Sequence, residues 1–486
     1  MDDLPTPGLT TRMTVLSEEK CRAIYDAALG VIAEVGMTVA HAGARELLVG
    51  AGASVEGDDL VRIPRGLVDR ARETVPSTIP VFDRSGELAM ELGGYNAYFG
   101  TGSDLMSIYD LESGERRPSV LADVGRMARL CDALPNIDFV MSSAYPTDVP
   151  AAAAYLESFR AMATNTTKPM VMTAAGVEDL EVMWKIACRL RGGAEQLRAE
   201  PYFIQYGEPV SPLMHPVEVL EKLLFCADWG IPLIYAPAPI AGATAPVTHA
   251  GQIMQGVAES LFGLVVHQLR RPGAPFVTGS ASGKLDMTTL QTLYNSAERY
   301  TTDLGIIEMA KWMDIPDWSF AGTSDSQCVD VQAGIDATQV TLLSMQAGAN
   351  LNHDVGYLDF GLTCAPELVV IVDEVVSMNR RALEGIEVSA DTLASDVVAA
   401  VGLGGDFLRA RHTRDHARAL QWRPTMFNRV TQAHWEAEGA LDLREKARRK
   451  AIGILADHVP EPLPADARTT MDDLVGAFVA GARAAS

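Results

Sequence analysis

Apolar runs of strand length alternate with amphipathic stretches of helical length from about residue 136 onward. Each run leads into a polar or Gly-rich loop and then into a helical stretch. The runs are Ile137–Tyr145, Pro169–Thr173, Tyr202–Tyr206, Ile231–Ala236, Pro275–Thr278, Trp318–Ala321 and Ala349–Asp354. Strands that alternate with helices form parallel sheets, and continuous hydrophobicity indicates strands covered on both faces. The pattern therefore predicts an α/β fold with a parallel sheet between helices.

The number of these units indicates whether the sheet closes into a barrel. Seven units are legible, and an eighth is expected in or after Glu367–Val401. Eight would close a TIM (β/α)8 barrel, which we place at residues 136–405. The alternative is an open, doubly wound sheet, which normally carries a Gly-rich phosphate turn after an early strand. The loop Gly100–Asp104 reads GTGSD and not GxGxxG, and no Walker sequence occurs, so the barrel is favoured.

Two regions flank the predicted barrel. Residues 1–135 form an N-terminal α+β capping region, in which Ser17 caps a helix whose apolar positions follow a spacing of three and four residues. Short extended runs follow, and the run Asn96–Phe99 leads into the GTGSD loop. Residues 406–486 form a C-terminal helical extension, with Asp442–Leu455 as its clearest helix.

Composition narrows the class of protein. Lys and Arg number 40 against 63 Asp and Glu, a formal charge of −23, which argues against nucleic acid as a partner. The six cysteines show no CxxC spacing and form no disulfide scaffold. Met1–Pro5 begins no signal peptide, and every long apolar stretch is interrupted before the length of a membrane span. We expect a soluble, cytoplasmic protein that binds no membrane.

Aromatic and acidic side chains recur where the predicted strands end, and basic ones are nearly absent. The loops concerned are Tyr206–Leu213, Tyr235–Pro239, Gly322–Gln327 and His353–Gly361. Ring faces attract organic cations electrostatically, and carboxylates around the same pocket add to that attraction. The alternative is that each Tyr is a core residue whose hydroxyl finds a partner.

Two other kinds of chemistry involve histidine. His353 with Asp354 fits a general base with its orienting carboxylate, a metal ligand with its supporting group, or a histidine that is simply hydrogen-bonded. His412 and His416 lie one helical turn apart, but the Glu of an HExxH zinc motif is missing, which favours a surface or packing helix.

Metal and Schiff-base alternatives rest on other side chains. Cys328, His353 and Cys364 lie near adjacent strand ends, but their spacing matches no known zinc motif. Lys284 follows a predicted strand, and a dry pocket would allow it to form a Schiff base. Its neighbours Gly283 and Asp286 indicate a solvated loop instead.

Several segments taken together resemble the trimethylamine methyltransferase superfamily. They occur in order over nearly the whole chain, although no single one is decisive. They are FGTGSD with YDLESGERRP (Phe99–Asp104, Tyr109–Pro118), YGEPVSPL (Tyr206–Leu213), GTSDSQCVDVQAG (Gly322–Gly334), AGANLNHDVGYLDFGLTCAPELVVIVDEV (Ala347–Val375) and the tail His412–Arg448.

The resemblance implies a cytoplasmic TIM-barrel enzyme that moves a methyl group from a methylated amine to the cobalt of a separate corrinoid protein. One branch of the superfamily uses pyrrolysine, whose place corresponds to Gln327 or a residue close to it. Only ordinary residues occur here, so the chain resembles the non-pyrrolysine branch, which demethylates quaternary amines such as glycine betaine, proline betaine or carnitine. The cobalamin then belongs to the partner protein, and neither an intrinsic cofactor nor zinc is expected. Analogy also suggests a homo-oligomer.

Chemistry explains why such a branch needs no special residue. A quaternary nitrogen already carries its charge, so each methyl group is bonded to a neutral amine leaving group. The protein then supplies position and electric field and no proton. This weakens the case for His353 as a general base, and no catalytic side chain is assigned.

The predicted substrate site combines rings and carboxylates. The residues expected to hold the cation are Asp104, Tyr206, Glu208, Asp325, Tyr357 and Phe360. If the substrate carries a carboxylate, the candidate donors to it are His353, Gln327 or backbone N–H groups. The competing functions are a non-catalytic quaternary-amine sensor on the same barrel, a metal-dependent barrel hydrolase and an aldolase that uses Lys284.

Overall fold

The structure, a computed structural model, describes residues 12–485, without the side chains of 482–485. The predicted start at Met1–Pro5 lies outside the described residues. Within them, the central element is a seven-stranded parallel sheet. Its strands, in chain order, are β1 (Tyr98–Phe99), β2 (Met170–Met172), β3 (Phe203–Gly207), β4 (Leu233–Tyr235), β5 (Phe276–Gly279), β6 (Asp317–Phe320) and β7 (Leu351–His353).

The sheet curls so that its two edges approach each other. The spatial order is β1-β7-β6-β5-β4-β3-β2, with every neighbouring pair parallel. Gly100, directly after β1, forms a parallel bridge to Phe139, and Val140 forms one to Met170 of β2. A short bridged segment thus occupies the place where an eighth barrel strand would lie.

The predicted eighth strand in or after Glu367–Val401 is wrong. The structure has helices there, over Pro366–Leu383, Ala390–Leu393 and Ser395–Val401. The apolar residues Leu368–Val372, Val375 and Val376 of the first helix are all buried, and Pro366 occupies its first turn, where the missing N–H costs nothing. The strand β1, which the sequence analysis assigned to the N-terminal region, completes the sheet instead.

Helices cover the outer face of the sheet and alternate with its strands, as predicted. The helices that follow β1, the bridged segment and β2 to β7 are Leu121–Ala133, Ala154–Asn165, Val177–Arg191 with Ala194–Ala199, Val217–Trp229, His249–Arg270, Ala297–Met313, Val331–Ala347 and Pro366–Leu383. Apolar side chains from both layers form one large buried cluster between them.

A second apolar cluster fills the inside of the curl. It takes Val171, Ile204, Val277 and Leu351 from the strands, together with Phe139 and other buried neighbours. The antiparallel hairpin Ile79–Phe82 and Leu88–Leu92 contributes four buried residues to the same cluster. The hairpin therefore plugs the interior, which leaves the carboxyl ends of the strands as the place for a cavity.

The other N-terminal and loop elements form small sheets around this centre. The N-terminal helices are Glu18–Gly30, continued by a π-helical turn at Val31–Val35, Ala42–Gly50 and Arg65–Thr74. Three further sheets have the orders Met214–His215, Met37–Val39, Leu60–Arg62, Ser54–Glu56; Ile240–Ala241, Gly283–Leu285, Thr292–Leu293; and Tyr357–Leu358, Thr363–Cys364, Ser107–Tyr109, Arg116–Pro118.

The C-terminal part is helical. Its helices after Val401 are Arg411–Leu420, Gln432–Ala437, Leu443–Asp457 and Ala465–Ala485. Leu443–Asp457 packs against Pro366–Leu383, and Ala465–Ala485 packs against Val177–Arg191. Among the helices of residues 12–485, none combines the length and apolar character that crossing a bilayer requires.

Candidate active site

A cavity of about 310 Å³ lies at the carboxyl ends of the strands. Ligands of parallel α/β sheets bind at this edge, because the loops that follow the strands converge there. The lining combines aromatic, acidic and small residues: Ser103, Asp104, Met141, Tyr206, Glu208, Ala238, Ala281, Tyr294, Trp318, Phe320, His353, Asp354, Tyr357 and Gly361.

Strand alternation brings the aromatic side chains into the cavity. Trp318 and Phe320 lie two residues apart on β6, so their side chains share a face of the sheet. Tyr206 extends from β3, with its ring centroid 5.7 Å from that of Trp318. Tyr294, from the loop after β5, meets Phe320 edge to face at 6.3 Å. Several aromatic rings therefore surround one small volume.

Three carboxyl groups from three different loops line the same cavity. Asp104 comes from the GTGSD loop, Glu208 follows β3 and Asp354 follows β7. Burial raises the pKa of all three, and it raises the pKa of Asp354 to about 7. The Tyr206 hydroxyl donates a 2.6 Å hydrogen bond to Glu208, which favours the ionised form but does not offset the burial. Burial thus shifts these carboxyl groups toward the protonated form, and a cation beside them would shift them toward the ionised form.

His353 is neutral and its protonation can be assigned from its contacts. Its Nδ1 lies 2.6 Å from the backbone oxygen of Ser319, which only accepts, so Nδ1 carries the proton. Its Nε2 lies 3.3 Å from Oδ2 of Asp354. Burial lowers the pKa of His353 to about 3, and its ring stacks on Trp318 with centroids 4.0 Å apart. The only ring N–H is therefore committed to Ser319.

A buried arginine sits behind the rings. The guanidinium carbon of Arg299 lies 3.7 Å from the centroid of Phe320 and 4.6 Å from that of Tyr294. Its Nη1 donates to the backbone oxygen of Tyr294 at 2.7 Å, and its Nε lies 3.4 Å from the Asp303 carboxylate. Arg299 thus orders two rings of the site. Neither Arg299 nor any other Arg or Lys of residues 12–485 lines the cavity.

The GTGSD loop enters the site because two of its residues have no side chain. A Cβ on Gly102 would lie 2.1 Å from Oδ1 of Asp354 and 2.2 Å from the hydroxyl oxygen of Tyr357. The Tyr357 hydroxyl donates to the backbone oxygen of Ser103, and the Ser103 hydroxyl donates to Asp104 at 2.8 Å. Close backbone approach at Gly102 therefore joins this loop to the one after β7.

Five of the eight predicted site residues line the cavity, and three do not. Asp104, Tyr206, Glu208, His353 and Tyr357 line it. Asp325 instead accepts hydrogen bonds from the backbone N–H groups of Tyr294 and Asn295, so it shapes the loop that carries Tyr294. Gln327 donates to the backbone oxygen of Asp325. Phe360 lies in the left-handed conformation at a turn, beside the lining residue Gly361.

The structure separates the other candidates from this cavity. The prediction that Lys284 lies in a solvated loop is wrong, because its side chain is buried. Its Nζ donates to Gln252 at 2.6 Å, and burial lowers its pKa. Within residues 12–485, one group of side chains brings its potential ligand atoms as close together as a metal site requires. It consists of Asp391, His412 and His416 and lies on the surface. The predicted surface helix at His412 and His416 is present as Arg411–Leu420, which has no buried residue.

Sequence reasoning missed several lining residues. Trp318 and Phe320 lie inside an apolar run, where no alternation shows which side chains face inward. Tyr294 lies fifteen residues after Gly279, in a loop too long to assign to a strand end. The signal that was available is the recurrence of Tyr and Trp near the ends of several strands.

The fold and the cavity define an α/β protein with an anionic, ring-lined ligand site at the carboxyl edge of a parallel sheet. The chain belongs to the trimethylamine methyltransferase (MTTB) family, whose family model matches residues 5–481. The family resemblance that the sequence motifs indicated is thereby confirmed.

Relatives of this chain include two kinds of methyltransferase. It is 31% identical to the trimethylamine methyltransferase MttB of Desulfitobacterium hafniense (strain DSM 10664 / DCB-2), over 94% of this chain and 92% of the relative. It is 28% identical to the glycine betaine methyltransferase of Desulfitobacterium hafniense (strain Y51), over 97% and 98%.

A solved structure supports the fold. The monomethylamine methyltransferase MtmB of Methanosarcina barkeri aligns with a TM-score of 0.51 and 11% identity, over 93% of this chain and 90% of that one. The hydroxylamine complex of MtmB aligns with a TM-score of 0.54 and 11% identity, over 92% and 89%. At these identities the likeness concerns the fold alone.

Proposed function

We propose that this chain moves a methyl group from a quaternary amine to the Co(I) of a corrinoid carried by a separate protein. The observation that carries the proposal is the cavity itself, in which three carboxyl groups and several rings surround about 310 Å³ without a lining Lys or Arg from residues 12–485. That volume lies at the lower end of the range for small-molecule sites, about 300–1,000 Å³. The site suits a compact organic cation.

The side chains of this site bind and orient the substrate. The aromatic rings of the lining, Tyr206 among them, attract a methylated ammonium group, each by about 0.5–2 kcal/mol when water is excluded. Asp104, Glu208 and Asp354 add a negative field around the same nitrogen. In this proposal the reduced corrinoid of the partner supplies the nucleophile that accepts the methyl group. The chain's contribution is to hold one methyl group in line with the open edge of the strands.

The chemistry requires no proton from the protein. When a methyl group leaves a quaternary nitrogen, the bonding electron pair stays on nitrogen, and a neutral tertiary amine results. His353, which is neutral and committed to Ser319, fits a binding surface better than a general base. The ordinary residues around Gln327 agree with the branch of the family that does without pyrrolysine. We also propose, from family membership, that the protein works in the cytoplasm.

Glycine betaine is the candidate donor that one relative's name suggests, but the cavity favours a donor without a carboxylate. Of the side chains predicted to bind a carboxylate, Gln327 lies outside the lining and His353 has its N–H engaged with Ser319, which leaves backbone N–H groups as the remaining predicted donors. An anionic group would also meet Asp104, Glu208 or Asp354 without a compensating lining cation. Electrostatics thus favour choline or tetramethylammonium over betaines.

The test is a donor panel with the purified protein and a Co(I) corrinoid. Glycine betaine, proline betaine, carnitine, choline and tetramethylammonium are each mixed with the protein, and the corrinoid spectrum is followed. Methylation of the corrinoid by one of them supports the proposal. A donor that binds in calorimetry but never methylates the corrinoid would indicate the sensor alternative, and activity that chelators abolish would indicate the hydrolase.

A further inference from the structure

A projecting segment of the chain lacks a core of its own. Every residue from 384 to 425, here called the arm, is partly or fully exposed, although the arm contains three helices. The helices are Ala390–Leu393, Ser395–Val401 and Arg411–Leu420, and none of them has a buried residue. Isolated helices of this length are marginal in water, because burial of an apolar face normally stabilises them.

The arm is anchored only at its base. The backbone N–H groups of Thr425, Met426 and Phe427 donate to the carboxylate of Glu374, on the helix after β7. The indole N–H of Trp422 donates to Ser377 on the same helix. Arg381, also on this helix, forms an ion pair with Glu384 and donates to the backbone oxygen of Leu420 at 2.9 Å. Lys450 donates to the Thr425 hydroxyl at 3.2 Å. Within the described chain, the hydrogen bonds and ion pairs between the arm and the rest of the protein therefore lie at the two ends of the arm.

Large apolar side chains are concentrated on the arm. Leu403 is fully exposed, Ile386 is 91% exposed and Leu408 is 86% exposed. Val388, Leu393 and Leu420 are each more than half exposed. Single exposed apolar residues are ordinary, but such a concentration on one segment marks an interaction surface.

Charge is divided between the two halves of the arm. Residues 384–406 carry five acidic side chains and neither Lys nor Arg. Residues 409–429, which extend just past the arm, carry six Arg and a single acidic side chain, Asp415. Within the described chain, Glu387, Asp396, Arg418 and Arg423 have no ion pair. Within one arm the two halves touch at Asp391, whose Oδ2 lies 3.1 Å from Nε2 of His416. The four unpaired side chains remain, and through them each half is complementary in charge to the other half in a second copy.

We propose that the arm is the interface between two copies of this chain, related by a twofold axis that sets the acidic half of each arm against the basic half of its partner. A twofold interface uses the same patch on both subunits, so such a patch must be self-complementary. The exposed apolar side chains then become the buried centre of the interface, and the charged residues form its rim. This proposal is independent of the methyl donor.

The first test measures mass by light scattering over a dilution series. The wild-type protein is expected to be a dimer or a multiple of a dimer. Leu403→Asp/Leu408→Asp should raise the dissociation constant at least about tenfold, because it places charges at the apolar centre. The control is Val459→Asp, which adds the same charge at an apolar residue 80% exposed outside the arm, and should leave the mass unchanged. Circular dichroism establishes that each variant is folded.

A charge exchange tests the twofold arrangement itself. Glu387→Lys/Asp396→Lys makes the acidic half basic, and Arg418→Glu/Arg423→Glu makes the basic half acidic. Each variant alone should be monomeric at concentrations where the wild type is dimeric, and an equimolar mixture of the two should recover the dimer. A monomeric wild type, an arm-independent dimer, or a mixture that fails to recover association would overturn the proposal.

Discussion

Nε2 of His353 lies 3.3 Å from Oδ2 of Asp354, and the histidine proton is on the other ring nitrogen. Two unprotonated acceptors would repel each other at this distance, so the contact is stable when Asp354 carries a proton. Burial raises the pKa of Asp354 to about 7 and lowers that of His353 to about 3, which agrees with a neutral pair. The same carboxyl group is available to ionise when a cation arrives.

Cation binding should therefore strengthen as the pH rises. A bound cation favours ionised Asp104, Glu208 and Asp354, whose pKa values are all raised by burial. Below those pKa values a proton must leave before the cation is held, at a cost of up to about tenfold in affinity per pH unit for each such group. Calorimetry with tetramethylammonium between pH 5.5 and 8.5 checks this.

The same calorimetry counts protons. In buffers of different ionisation enthalpy, the wild type should release protons at pH 6 and fewer at pH 8.5. Asp354→Asn removes one titrating group, so its affinity should rise less steeply with pH. An affinity that is flat or falls with rising pH would contradict the assignment of the three carboxyl groups to the cation.

The ring of Tyr206 should contribute separately from its hydroxyl. Tyr206→Leu removes the ring and should weaken tetramethylammonium binding by roughly 2- to 30-fold, which corresponds to about 0.5–2 kcal/mol for a desolvated cation–π contact. Tyr206→Phe keeps the ring and loses only the hydrogen bond to Glu208, so it serves as the matched variant. Equal losses in both variants would show that the ring face does not bind the cation.

The charge of Glu208 should set the preference between donors. Glu208→Gln keeps the shape of the side chain and removes a negative charge from the lining. Binding of choline should weaken by about tenfold, while glycine betaine should lose less, because its carboxylate no longer meets this anion. The measurement is the ratio of the two dissociation constants. An unchanged ratio would mean that Glu208 does not sense the carboxylate.

Backbone approach at Gly102 should be essential for the site. Gly102→Ala places a Cβ within 2.1 Å of Asp354 and should destabilise the fold by about 1–3 kcal/mol, as overpacking of a filled site does, with loss of cation binding. Gly30→Ala is the control: a Cβ there meets nothing within 4 Å, and the helix should be unchanged or slightly stabilised. Thermal unfolding measures both. Equal stability of Gly102→Ala and the wild type would contradict the described packing.

The parallel sheet was predictable because its strands are continuous apolar runs. Six of the seven predicted runs overlap a strand of the sheet, with ends that differ by one or two residues. The first run, Ile137–Tyr145, forms only the bridges of Phe139 and Val140. The prediction of an eighth strand was wrong because Pro366–Leu383 is a helix buried between layers. Its Val, Ile and Leu residues form a continuous apolar run, and such a run does not distinguish a buried helix from a buried strand.

The site was predictable in part for a geometric reason. Loops that follow parallel strands converge, so Glu208, Asp354 and their neighbours could be expected together without knowledge of the contacts. Trp318 could not be assigned, because a strand buried on both faces shows no alternation. The separation of Asp325 from the cavity depends on its bonds to two backbone N–H groups, which no sequence pattern reveals.

The most direct test of the proposed function is the methyl transfer itself. The wild-type protein, a Co(I) corrinoid and a quaternary amine are combined under anaerobic conditions, and the absorbance of the corrinoid is followed. We expect the corrinoid to become methylated at a rate that depends on the protein, with one neutral tertiary amine formed per methyl group. No protein-dependent methylation by any quaternary amine, while trimethylamine or an uncharged donor is accepted, would contradict it.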